Sequence, residues 1–260
     1  MIGILVVLVW ILAAIFAPQI APYQPLTQDV SQRLQAPNPV HPWGTDELGR
    51  DIYSRVLYGG RITIPAGIAV IVIGSLIGTV IGAIAGYAGG AWDEGIMRVT
   101  ELFLAFPTII LAMAVTAALG PDIRNAIIAL VVVWWPSYAR LVRGLVLKTK
   151  LNEYVEAARC VGAAGPYILW RSIMPNCLAP TIVLTPLDIG NAILTFAGLS
   201  FLGLGPEPTS PEWGRMVAVG IDYFDQWWTW LFPGMAIATL VIAFNFIGDG
   251  LRDIFDPRLR

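Results

Sequence analysis

Residues Ile62 to Trp92 read ITIPAGIAVIVIGSLIGTVIGAIAGYAGGAW, 31 consecutive positions without Asp, Glu, Lys or Arg. A helix needs about 20 apolar residues to cross a hydrocarbon core of roughly 30 Å, and inside lipid every backbone N–H and C=O must be satisfied within the segment. This stretch is long enough to span, and it sets the fold class: an all-α membrane protein. The surrounding composition agrees, because only 13% of the 260 residues are charged, about half the share in a soluble domain. Within the stretch, Gly74, Gly78, Gly82 and Gly86 recur every fourth residue. At that spacing they share one helix face, a flat strip where a second backbone can approach. The strip suits ordinary helix packing, or a contact that slides during a conformational cycle; the sequence does not separate the two.

Five further charge-poor stretches lie on either side. Met1 to Gln28 has an apolar part ending near Pro18, and Leu102 to Pro121, Asn125 to Ala139 and Gln226 to Gly248 contain no charge. Ser172 to Pro206 is interrupted only by Asp188. The expectation is six transmembrane helices in one domain over residues 1–260: a first span over 1–20, an external segment over 21–61, and a five-helix core over 62–260. Six spans put both termini on one side, and the excess of Lys and Arg marks the cytoplasm. With the termini inside, ten cations (Arg98, Arg140, Arg143, Lys148, Lys150, Arg159, Arg171, Arg252, Arg258, Arg260) are cytoplasmic, against six outside (Arg33, Arg50, Arg55, Arg61, Arg124, Arg215). Met1 to Ala17 lacks the basic start of a signal peptide, and Trp10 followed by a Pro-rich segment suits an uncleaved anchor. Net charge is −2 with a single His, so there is no basic nucleic-acid footprint. The two cysteines, Cys160 and Cys177, cannot build a disulfide scaffold and fall where thiols stay reduced.

The longest basic cytoplasmic loop has a helical grammar of its own. Asn152 is a fitting N-cap with Glu153 in the first turn, and Gly162 stands where a left-handed residue ends that helix. Gly165 and Pro166 restart a short helix, which Pro175 helps to stop. The expectation is a helix, a turn and a short helix outside the membrane, with Tyr167, Ile168 and Trp170 partly available. Such a helix can lie on the bilayer interface or fill a groove on a soluble partner, and its periodicity does not choose.

The residue pattern does. Glu156-Ala157-Ala158, three residues, Gly162, then Ile173-Met174-Pro175 resembles the "EAA" loop of ATP-binding-cassette (ABC) importer permeases. Met174 stands where Leu is usual, a volume-preserving change. The resemblance extends along the chain through His41-Pro42-Trp43-Gly44-Thr45-Asp46-Glu47-Leu48-Gly49-Arg50-Asp51, Ala105-Phe106-Pro107, Tyr138 to Gly144, Leu199 to Gly205, Pro211-Glu212-Trp213-Gly214, and Phe244 to Asp253 with Asp256-Pro257-Arg258. In this order the blocks are similar to the second, "C-type" permease of the dipeptide/oligopeptide/nickel family. That resemblance implies a type I ABC importer bundle with a cytoplasmic coupling helix in the 144–178 loop. It implies that Glu156, Ala157, Ala158, Gly162, Ala163, Ala164, Gly165, Pro166 and Tyr167 couple to an ATPase. The implied partners are a homologous second permease, two ABC ATPase subunits and an extracytoplasmic substrate-binding protein, in a bacterial or archaeal inner membrane. Relatives usually carry a cytoplasmic extension before the first span, whereas here the apolar helix begins at residue 1. No Gly-x4-Gly-Lys-[Ser/Thr] loop occurs, so ATP and Mg are expected on the partner subunits and this chain is expected to be no enzyme. Short peptides are the expected cargo, with nickel chelates, glutathione-like and opine substrates as alternatives.

Individual polar residues carry further expectations. Asp188 is the one acid deep in a span, where it costs about 2.5–3.5 kcal/mol and must face the bundle interior or water. With Asn191 it lines the translocation path, or it makes a structural hydrogen bond to a neighbouring helix. An ion-coupled secondary transporter using Asp188 would leave the coupling loop unexplained, and a membrane enzyme finds no His-Glu-x-x-His or Gly-x-Ser-x-Gly motif. His41, Asp46, Glu47 and Asp51 match no metal-ligand spacing. Asp46 and Glu47 suit instead the first turn of an amphipathic elbow helix running to about Leu57. Asp249, Arg252, Asp253 and Arg258 read as a solvated, self-paired helix end or an ATPase contact. Trp213, Tyr223, Phe224, Trp227, Trp228 and Trp230 read mostly as an interfacial aromatic belt, with part of this external loop available to a binding protein.

Overall fold

A computed structural model describes residues 1–255. The elements are α1 (Ile2–Ile15), α2 (Ala17–Ile20), α3 (Ile52–Ala88), α4 (Gly90–Leu104), α5 (Thr108–Leu119), α6 (Ile123–Thr149), α7 (Glu153–Cys160), α8 (Gly165–Tyr167), α9 (Met174–Phe201), α10 (Trp213–Ile221) and α11 (Trp228–Phe255). Among the described residues four helices, α3, α6, the continuous rod from Gly165 to Phe201, and α11, are long and apolar enough to cross a membrane. A fifth crossing exists if α4 and α5, bent by 91° at a short break, count as one. The expected third span is therefore not straight. Phe106 precedes Pro107, whose ring disfavours helical backbone at the residue before it, and α5 restarts with Pro107 as its N-cap. At 14 residues α1 alone is short for a crossing.

Charge limits underestimate helix length. The 15 charge-free residues expected as the fourth span sit inside a 27-residue helix, because a helix continues into water once its charged side chains clear the bilayer. Helix α3 likewise begins ten residues before the charge-free stretch, at Ile52. Its N-cap is Asp51, whose carboxylate accepts from Ser54 N–H at 2.7 Å. The elbow helix expected from Asp46 does not form. Asp46 instead accepts from Leu48 N–H and Arg50 N–H, both at 2.9 Å, and closes a turn; an Asp that bonds its own downstream backbone competes with helix.

The core is laid around α3. It packs most extensively on α6, then on α9, while α11 packs on α9, α10 and α1. Gly78, Gly82 and Gly86 face Trp135, Ala139 and Arg143 of α6 in turn. Both series ascend by four, so the two helices run parallel with their backbones in contact. One apolar cluster, including Ile71, Leu130, Ile193, Phe196, Trp213 and Leu240, fills the bundle. Trp213 is fully buried, with its indole N–H donating to Val56 O at 2.8 Å. Trp228 is buried too and donates to Thr45 O at 3.2 Å. These two tryptophans are core residues rather than belt residues, because each indole N–H finds a carbonyl inside.

Candidate functional site

The 144–178 loop is built by one end motif. Helix α7 stops at Gly162, whose φ of 79° is left-handed. Gly162 N–H donates to Arg159 O at 2.9 Å and Ala163 N–H to Ala158 O at 3.1 Å, the paired bonds of a Schellman cap. Ala158 and Ala163, the two residues such a cap brings together, pack side by side on a second apolar cluster. That cluster is Ala83 from α3, Val142 and Val146 from α6, Val155 from α7, and Ile168, Leu169, Ile173, Met174 and Cys177. The small residues at 158 and 163 thus let the turn lie flat on the ends of α3 and α6. Asn152 holds the N-cap position of α7 but its side chain makes no cap bond.

Gly165 and Pro166 open α8, and a Cβ on Gly165 would come 3.2 Å from the Tyr87 hydroxyl at the end of α3. Two expectations need correction here. Ile168 is buried, only 1% exposed, because it packs into the cluster that holds Val142 and Val146 rather than facing solvent. Pro175 does not stop the helix. A π-helical turn over Ile168–Ile173 runs into α9, with Pro175 in its first turn. The wider turn relieves the clash a proline ring makes with the carbonyl four residues back.

Buried side chains on one face leave an apolar rim on the other. Val161, Tyr167 and Trp170 are 84%, 58% and 48% exposed, and Glu156, Ala157, Gly162, Ala164 and Pro166 are exposed between them. Of the sequence-assigned residues, Glu156, Ala157, Gly162, Ala164, Pro166 and Tyr167 are therefore exposed, while Ala158, Ala163 and Gly165 are half-buried and brace them from behind. Cys160 lies on it as an exposed free thiol, and Cys177 is buried beside Thr149.

Ion pairing missed by the sequence reading reinforces the brace. Arg143 donates Nε and Nη2 to the two carboxylate oxygens of Asp93 at 3.0 and 2.7 Å, tying α6 to α4. Lys150 Nζ donates to Gly86 O at 2.8 Å, over the C-terminal end of α3 where cations are favoured. No local signal marks a pair 50 positions apart. Asp249, Arg252 and Asp253 are exposed and make no ion pair among the described residues. Those three are solvated; Arg258, the fourth member of the expected self-paired set, and the Asp256-Pro257-Arg258 block lie outside the described residues.

Asp188 and Asn191 are not part of this surface. They lie on α9 roughly 33 Å along the helix from Pro166, at 1.5 Å per residue. Asp188 is half-buried and faces Tyr138 and Trp134 of α6, whereas Asn191 is exposed.

At the opposite end of α3, a polar knot occupies residues 23–55. His41 Nδ1 meets Asp51 Oδ1 at 2.9 Å and Nε2 meets Gln32 Oε1 at 2.7 Å. Arg50 pairs with Asp46 at 2.6 Å and Glu47 at 2.7 Å, and Arg55 donates to Pro25 O and Ser210 O. Of the four residues weighed for metal binding, Asp46 and Glu47 pair with Arg50, and His41 and Asp51 are taken up by each other, Gln32 and Ser54. Glu212, fully buried, caps α10 by accepting from Gly214 N–H at 2.9 Å and Arg215 N–H at 2.8 Å, and from Thr63 Oγ1 at 3.1 Å. Burial pushes its carboxyl above the usual range, against the pull of those donors.

Comparison with known proteins identifies the family. Residues 78–260 match the family model of the binding-protein-dependent transport system inner membrane component, and residues 1–37 match the N-terminal TM domain of oligopeptide transport permease C. The chain is 44% identical to a probable D,D-dipeptide transport system permease protein, DdpC, of Escherichia coli, over 97% of this chain and 85% of that one. It is 42% identical to a dipeptide transport system permease protein, DppC, of Alkalihalophilus pseudofirmus, over 100% and 86%. It is 44% identical to a glutathione transport system permease protein, GsiD, of an Escherichia coli strain, over 98% and 85%. An inward-facing MetNI methionine ABC transporter chain superposes with a TM-score of 0.58 at 17% identity, over 78% of this chain and 97% of that one, which places the fold among type I importer permeases. The chain therefore belongs to the binding-protein-dependent inner-membrane permeases, as a non-catalytic, multi-pass C-type subunit of an ABC importer.

Proposed function

We propose that this chain pairs with a homologous permease, that the pair docks two ABC ATPases on its cytoplasmic side, and that it imports short peptides handed over by an extracytoplasmic binding protein. The peptide class follows the names of its relatives, two of which are dipeptide permeases. Six crossings complete the reading: α1 with α2, α3, the bent pair α4–α5, α6, α9 and α11, with both termini in the cytoplasm. Stacked end to end, α1 and α2 hold 18 residues, about 27 Å of helix, close to the hydrocarbon thickness.

The observation that carries the proposal is the braced apolar rim of Val161, Tyr167 and Trp170 at the foot of α3 and α6. A knob of this kind fits a groove on a soluble partner. Because it is packed on α3, α6 and α9 together, a push on the rim moves those helices as a unit. ATP-driven closure of the ATPases would draw the two permeases' rims together and reverse the side on which the central path is open. Asp188 and Asn191 line that path in this reading, Asp188 meeting the ammonium or polar groups of the passing peptide.

The test is co-purification. Changing Tyr167 and Trp170 together to Ala should release the ATPases while membrane insertion and the thermal midpoint of the permease pair stay as in wild type. Undiminished ATPase recovery with that variant would refute the coupling role. For the path, Asp188→Asn should change which peptides are taken up; an unchanged uptake profile would remove Asp188 from it.

A further inference from the structure

Helices α1 and α3 do not close against each other along their whole length. Between them runs an open groove of about 720 Å³, walled by Ile11, Ala14 and Ile15 of α1 and by Ile64, Ile68 and Ile73 on α3. One end of the groove is different: Arg61 stands there, at the edge of the charge-free stretch that begins at Ile62. Arg61 is exposed and has no acidic partner within 4 Å among the described residues. Its guanidinium lies 6.0 Å from the Tyr58 ring centroid. Four residues on, Pro65 sits inside the helix and has no N–H to give the Arg61 carbonyl.

The dimensions identify what fits. From Arg61 to Ile73 the groove follows α3 for 12 residues, about 18 Å of rise. One leaflet of the hydrocarbon core is about 15 Å deep. A channel one leaflet deep, apolar along its walls, with a lone cation at the headgroup end, matches a single phospholipid. An arginine fork at that depth prefers a phosphate, and it prefers one whose charge is not already offset by an ammonium. We propose that this groove binds an anionic phospholipid, such as phosphatidylglycerol, from the leaflet beside residues 21–61, with its phosphate on Arg61 and an acyl chain between α1 and α3. The bound lipid would fill the space left between α1 and the core, so that α1 rides on the bundle through a lipid as well as through its direct contacts with α11 and α3.

The test uses the intact importer complex, purified in mild detergent from membranes containing phosphatidylglycerol and phosphatidylethanolamine. Lipids retained per complex are counted by native mass spectrometry. Arg61→Gln should lower retained phosphatidylglycerol about tenfold, the factor that follows from losing one charge-assisted contact, and leave phosphatidylethanolamine unchanged. Ala69→Phe, which fills the groove without touching the charge, should lower retention as well, so a variant that fails to fold at position 61 does not leave the proposal open. A photo-crosslinker at Ile68 should label lipid. Equal phosphatidylglycerol in wild type and both variants would overturn the proposal, and so would crosslinking of Ile68 to another protein subunit, which would assign the groove to the second permease. Lipid counting does not depend on transport, so either failure leaves the importer reading intact.

Discussion

The glycine strip of α3 offers a graded test of how tightly the bundle is packed. At Gly74 an added Cβ would come 3.3 Å from Trp134 Cβ and 3.6 Å from Trp135 N, a fit that needs a shift of a few tenths of an ångström. At Gly82 the same Cβ would overlap the Ala139 carbonyl oxygen and lie 2.9 Å from that residue's C and Cα. Those are backbone atoms of α6, with no side chain that can swing aside. Replacing Gly by Ala inside a helix gains about 0.5–1 kcal/mol of backbone entropy. At Gly74 that gain offsets the small shift, so Gly74→Ala should be neutral or slightly stabilising. At Gly82 the parallel helices must separate along their shared length, and overpacking of this kind costs about 1–3 kcal/mol or more. The two variants should therefore differ by about 2 kcal/mol, which for a chain of this size corresponds to roughly 4–8 °C in thermal midpoint. The assay is thermal unfolding of the purified complex in detergent, with a cysteine pair across α3 and α6 to report their separation. Indistinguishable midpoints would refute the close-packing argument. Unchanged stability of Gly82→Ala combined with lost transport would instead identify the strip as a contact that slides.

Three other perturbations probe separate parts of the chain. Gly162→Val forces a β-branched residue into left-handed backbone, at a cost of about 1–2 kcal/mol, and should loosen the α7 end, seen as faster proteolysis within 153–167 and lower ATPase recovery. Asp93→Asn should weaken the tie between α4 and α6 and lower peptide transported per ATP hydrolysed, and exchanging the charges (Asp93→Arg with Arg143→Asp) should restore part of it; no rescue would mean that the pair is incidental. For Glu212, folding favours the protonated carboxyl, because burial raises its pKa above the ordinary 4.5. Its contribution is therefore complete below that value and is lost as pH rises through the raised folded one. The thermal midpoint of wild type should fall over that interval, while Glu212→Gln should show a flatter profile, whatever its absolute stability.

Much of the bundle is legible in the sequence because lipid imposes a simple rule: charge-free stretches span. What the rule does not reach is where a helix ends in water. Residues 140–149 carry Arg140, Arg143 and Lys148 yet continue α6 without a break, since nothing penalises a solvated cation on a helix. The expected elbow helix fails for a related reason. Asp46 and Glu47 have the composition of a first helical turn, but Arg50 claims both carboxylates, and Asp51 takes the capping role. Local chemistry can propose a cap; which acid wins depends on partners that only the fold supplies. The coupling loop shows both outcomes. Gly162 was legible because few residues other than glycine adopt its backbone. Ile168 was not, since a helix as short as α8 has too few turns for periodicity to name a buried face.

The polar contacts that those limits hide gather at the two ends of α3. This helix is 37 residues long, about 55 Å at 1.5 Å per residue, well beyond the thickness of the hydrocarbon. One overhang is capped by Asp51 inside the knot of His41, Arg50 and Arg55; the other lies under Gly165 through Tyr87 and under Lys150 through Gly86. Each end is held by polar groups drawn from distant segments, while the middle is held by backbone contact with α6. A rod clamped in this way cannot shift at its cytoplasmic end without carrying α6 along or breaking bonds in the knot. The knot in turn holds the loop before α10, since Arg55 donates to Ser210 O. A displacement at the Gly86 end of α3 therefore has a direct mechanical route to the loop before α10, through α3 and α6 moving as one body, and no separate element is required to carry it.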